Sequence, residues 1–108
     1  MRDRYITVFM TGPSEKEAKK IVSKLIKKKL IACGNILSGV NSIFVWRGRT
    51  DKAREVLAIM KTKKKLFKKV VLEIKGLHSY EVPEIIALPI IDGNTEYLKW
   101  IDEAVTKK

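Results

Sequence analysis

Three observations predict an α+β fold for this chain. A period-two apolar alternation opens it, two later stretches carry apolar residues at helical spacing, and two long apolar runs flank a short glycine-containing turn. From Arg4 to Thr11, Tyr5, Thr7 and Phe9 fall on one side and Ile6, Val8 and Met10 on the other, which predicts a strand buried on at least one face. Gly12-Pro13 breaks it. Ser14 and Glu17 have capping-box spacing, and Ala18, Ile21, Val22, Leu25 and Ile26 then recur as the apolar stripe of a helix over 14–29. Residues 31–47 read as one long strand, bent at Ser38-Gly39. Arg47 to Asp51 makes a turn and Glu55 to Lys61 returns, with Val56, Ala58 and Met60 facing one way and Leu57 and Ile59 the other.

Thr62 is placed to cap a second helix with Leu66, Phe67, Val70, Val71 and Ile74 as its buried stripe, and Gly76 is placed to end it. After a polar loop, Ile85 to Ile91 forms a last strand. Pro89 lacks an N–H, so that strand belongs at an edge or carries a bulge. Asp92-Gly93 turns the chain, and Asn94 caps a final helix with Tyr97, Leu98, Trp100, Ile101, Ala104 and Val105 available for burial. The resulting order, β-α-β-β-α-β and then a helix, is the ferredoxin-like arrangement within a single domain over 1–108. Both crossover helices then lie on one face of the sheet. The other face, with Thr7 and Phe9, and the long hairpin, with Phe44 and Trp46, stay uncovered in one chain, so association through them is expected.

The chain has 108 residues and a formal net charge of +11. Its lysine runs, Lys27-Lys28-Lys29 and those between Lys61 and Lys69, fall largely on the polar faces of the predicted helices, which favours a solvated surface over a specific nucleic-acid patch. An RNA-binding module with the same element order would carry stacking aromatics on its third strand; Glu55 to Lys61 holds none. No apolar run approaches the roughly 20 residues that span a bilayer. Met1-Arg2-Asp3-Arg4 leads directly towards a strand without the pattern of a signal peptide, and the single cysteine, Cys33, rules out an intrachain disulfide framework. Both points lead to the expectation of a cytoplasmic protein.

The most informative stretch is Leu77-His78-Ser79-Tyr80-Glu81-Val82-Pro83-Glu84, which places the only histidine, a tyrosine and two carboxylates ahead of an apolar strand. There is no CxxC pair, no HExxH and no glycine-rich phosphate loop, so an enzyme is not expected. Together with Leu30-Ile31-Ala32-Cys33-Gly34-Asn35-Ile36, Ser42 to Gly48, Lys61-Thr62 and Gly93 to Trp100, this loop resembles the CutA family of divalent-cation tolerance proteins, in order and over nearly the whole chain.

The resemblance implies a compact homotrimer, similar in architecture to the PII signalling proteins, acting in tolerance to copper and other divalent cations. The family's copper-ligand pattern, a cysteine near the end of the first strand and two consecutive histidines in the loop, falls here on Met10, Leu77 and His78, so only the second histidine is kept. His78 is the leading metal-ligand candidate, since a neutral imidazole suits copper, nickel or zinc, and the Met10 thioether suits Cu(I). Cys33 and Glu84 complete the candidate donor set, although a lone cysteine in an apolar strand more often behaves as a small buried hydrophobe. Tyr80, Phe44 and Trp46 are the candidate interface residues. A PII-like scaffold that binds a small ligand or a partner protein at clefts between subunits is the alternative reading.

Overall fold

In the computed structural model, which describes residues 4–107, the chain forms four strands and three helices: β1 Tyr5–Gly12, α1 Glu15–Lys27, β2 Cys33–Trp46, β3 Arg49–Lys63, α2 Phe67–Leu77, β4 Ile85–Pro89 and α3 Thr95–Val105. Residues 1–3 of the chain's lead-in lie outside the described residues. The strands make one antiparallel sheet in the order β2-β3-β1-β4. Pro89 sits in β4, an edge strand, where its missing N–H breaks no interior ladder.

The alternation in β1 decides which face is covered. Ile6, Val8 and Met10 are buried, as are their cross-strand partners Thr62, Met60 and Ala58 in β3. Ala18, Ile21, Val22 and Leu25 of α1 and Val70 and Ile74 of α2 pack onto the same side, so both helices share one layer and a single core. The third helix covers one end of the opposite face, where Ile101 and Val105 meet Ala32, Tyr5 and Leu66. Its Asp102 accepts from the Tyr5 hydroxyl and pairs with Lys63 and, at 3.5 Å, Arg4. The rest of that face, including Leu37, Ile86 and Leu88, is exposed.

Several boundaries differ from the sequence reading, each for a local reason. The hairpin turn is only Arg47-Gly48, both with positive φ (52° and 77°), and β3 is already underway at Arg49. The first residues of β3 are polar and exposed, held by the β2 ladder, so no apolar alternation announces them. At its other end β3 runs through Thr62. That residue caps no helix: fully buried, it donates its hydroxyl to the Leu30 carbonyl at 2.7 Å. A 3-10 turn over Lys64–Leu66 then precedes α2, which continues past Gly76 to Leu77. The capping box is half made. Ser14 Oγ accepts from the Glu17 N–H at 3.2 Å, while the Glu17 carboxylate accepts from Ser79. The bend at Ser38-Gly39 is a bulge between Leu37 and Val40, with Gly39 at φ 76°.

Candidate functional site

The loop after α2 is fastened by its histidine. The backbone N–H of His78 closes the helix on the Ile74 carbonyl at 2.8 Å, and the ring turns inward until the residue is only 9% exposed. Its Nδ1 accepts from the Tyr80 N–H at 3.0 Å, which leaves the proton on Nε2 to be donated to the Thr11 carbonyl at 2.7 Å. The Glu17 carboxylate lies 3.4 Å from Nδ1 and accepts from both the backbone N–H and the hydroxyl of Ser79, each at 3.0 Å. One imidazole and one carboxylate thus bind the loop to β1 and α1.

Held this way, Tyr80 points across to β3 and donates its hydroxyl to Glu55 at 2.6 Å. Burial, then the hydrogen bond to Glu55, then the charges of Glu55 and Glu17 push the Tyr80 phenol up to about 12. Glu55 is itself only 8% exposed. The pair forms part of the wall of an open cleft of about 770 Å3 between this loop and the β2–β3 hairpin. Asp51, Glu81 and Glu84 also line it, with Phe44, Trp46, Ile43 and Val82 as its apolar part. Four of the chain's 12 acidic residues therefore face one cleft on a protein of strongly positive charge.

Of the residues picked out from sequence, the cleft gathers Tyr80, Glu84, Phe44 and Trp46, and His78 backs it through Tyr80. Met10 lies apart, fully buried on the helix-covered side of β1. Cys33 is on the other side of the sheet, with its Sγ 3.5 Å from the Tyr97 hydroxyl. Among the described residues, no group of three or more His, Cys, Asp or Glu side chains is placed to hold a metal ion. Both His78 ring nitrogens already have protein partners. The single subunit therefore does not supply a closed coordination shell from His78, Cys33, Met10 and Glu84. Glu55 and Asp51 were missed at the sequence level. The only signal for Glu55 was a carboxylate at the first position of an apolar alternation.

The family model for the CutA1 divalent ion tolerance protein matches residues 6–104. A Thermus thermophilus protein called divalent-cation tolerance protein CutA is 45% identical over 96 residues, covering 89% of this chain and 93% of that protein. A rice protein, Protein CutA 1, chloroplastic, is 40% identical over 89% of this chain, which spans only 54% of that relative. The solved structure of the periplasmic divalent cation tolerance protein CutA from Archaeoglobus fulgidus superposes with a TM-score of 0.92 at 42% identity, covering 94% of this chain and 99% of that one. These matches favour a divalent-cation tolerance protein over a PII-like scaffold. The relatives' names point to more than one compartment. Among the described residues, no helix is long and apolar enough to cross a membrane.

Proposed function

The chain belongs to the CutA1 divalent ion tolerance family, and we propose that it serves tolerance by binding divalent cations, copper among them, at the acidic clefts of a ferredoxin-like homotrimer. The observation that carries this reading is that Asp51, Glu55, Glu81 and Glu84 all line one cleft. Carboxylate oxygens attract any divalent ion, and a carboxylate as buried as Glu55 gains from a nearby positive charge. One subunit offers no complete donor set, so the remaining ligands come from a neighbouring subunit or from water. The cleft lies beside exposed Phe44 and Trp46, where a neighbour would pack, and such a site suits reversible binding.

The strand order β2-β3-β1-β4, with helical crossovers packed on one face, supports the ferredoxin-like reading. The uncovered sheet face supports association; the subunit number, three, follows from the family resemblance alone.

Calorimetric titration with Mn2+ and with Cu2+ tests the site. Glu81 and Glu84 are exposed, so Glu81→Gln/Glu84→Gln leaves the core intact. It is expected to weaken binding by about tenfold or more, roughly 1.4 kcal/mol. Unchanged affinity in that variant removes the cleft from consideration. A His78→Ala variant with the same stoichiometry and affinity as wild type removes His78 from the ligand set.

A further inference from the structure

The net positive charge of this protein is concentrated in two segments of the chain. Residues 15–29 and 64–77, which contain α1, α2 and their flanks, hold twelve lysines against three acidic residues, so nine of the chain's eleven net charges reside there. The structure puts both helices in one layer on the covered side of the sheet, which merges their outer surfaces into a single face. Five of the eight exposed residues of α1 are lysines: Lys16, Lys19, Lys20, Lys24 and Lys27. Three of the five exposed residues of α2 are Lys68, Lys69 and Lys75.

The acidic residues of this layer are all engaged. Glu15 pairs with Lys19 and accepts from Ser38, Glu73 pairs with Lys28, and Glu17 is turned to Ser79 and His78. Lys16, Lys20 and Lys24 have no ion pair among the described residues, and they stand four residues apart in one row. At 1.5 Å per residue that row has a charge about every 6 Å. Like charges at this spacing destabilise a helix. A second feature points the same way: Lys29 occupies the left-handed position that ends α1, at φ 58°, where glycine is conformationally easier.

We propose that the solvent face of the α1–α2 layer docks nucleic-acid duplex through its phosphates, without reading base sequence. Charge complementarity to a polyanion selects the partner class. Neither helix exposes an aromatic side chain on this face, so single-stranded bases have no stacking platform and the duplex backbone is the better fit. The only large apolar side chains exposed on the two helices are Ile26 and Leu72, too few to insert among lipid chains, so a membrane surface is disfavoured. This surface is independent of the acidic cleft and of the cation reading.

The test is fluorescence anisotropy of a labelled random-sequence DNA duplex with the full-length protein, across a salt series. With four lysines engaged, the log–log salt slope is expected near −3.6, a loss of roughly 150-fold for a fourfold rise in salt. K16Q/K20Q/K24Q keeps good helix formers and should lower the slope by about 2.7, with circular dichroism unchanged. K52Q/R54Q/K99Q removes as many charges from exposed positions on other elements and should bind like wild type. The proposal is overturned by absence of wild-type binding at low salt, or by equal weakening in the two triple variants. It is also overturned by binding to phosphatidylserine–phosphatidylcholine vesicles but not to duplex.

Discussion

A single tyrosine links the loop, the hairpin and the acidic cleft. Tyr80 is held at its backbone by His78 and at its hydroxyl by Glu55, and ionising it would place a phenolate against a buried carboxylate. Its phenol titrates near 10 when free and at about 12 in the fold, so the folded state keeps its proton longer than the unfolded chain does. For a group raised in this way, the contribution to stability is complete below pH 10 and is lost as pH climbs to about 12. Native protein should therefore show late tyrosinate absorbance, and Tyr80→Phe should remove one late-titrating group and flatten the alkaline fall in melting temperature over that window. Tyr5 and Tyr97 are also raised, mainly by hydrogen bonds to Asp102 and Cys33 respectively, so the readout is the difference between wild type and variant. An alkaline limb identical in both proteins would show that Tyr80 is not held by Glu55. The tyrosine was legible in the sequence because His78, Tyr80, Glu81 and Glu84 crowd into a few positions. Its partner was not, since Glu55 lies 25 residues away in β3 and nothing local marks where the loop will land.

At the level of elements, what could be read was whatever a repeating apolar pattern dictates. β1, the bulge at Ser38-Gly39 and the stripe of α1 follow from alternation, a glycine and helical spacing, except that Ile26, expected in that stripe, is exposed at the helix end. The end of β3 did not, because a threonine after an apolar strand suits either a cap or a buried strand position. The Leu30 carbonyl, which Thr62 reaches in the fold, decides between them. The end of α1 was equally hidden. Lys29 N–H bonds to the Ile26 carbonyl and Leu30 N–H to the Leu25 carbonyl, both at 2.9 Å, a Schellman ending that glycine normally marks. A side chain at positive φ costs about 1 kcal/mol there, so Lys29→Gly should raise stability by about that amount in chemical denaturation, with no change in helix content. A destabilised Lys29→Gly protein would mean that the lysine makes a contact worth more than its strain.

For the molecule as a whole, the decisive asymmetry is between the two faces of the sheet. One is sealed by α1 and α2; the other holds Phe9, Leu57 and Ile59, with Leu37, Ile86 and Leu88 between 45% and 48% exposed. Beyond it the hairpin carries Ile43 and Val45 at more than 70% exposure. Apolar surface of this extent draws copies of a chain together, and each such side chain fully buried contributes roughly 1.5–3 kcal/mol. Sedimentation equilibrium should give three times the mass of the chain. Ile86→Lys/Leu88→Lys puts two charges on the uncovered face, in an edge strand remote from the helix-layer core, and should shift the mass to that of one chain with a lower melting temperature. Leu72→Lys, on the opposite surface at 74% exposure, should leave the assembly intact. If the double variant keeps the wild-type mass, the sheet face is not where subunits meet. A wild-type chain that sediments as a folded monomer would remove the neighbouring subunit from the proposed cation site and leave water as the only further donor beside the carboxylates of the cleft.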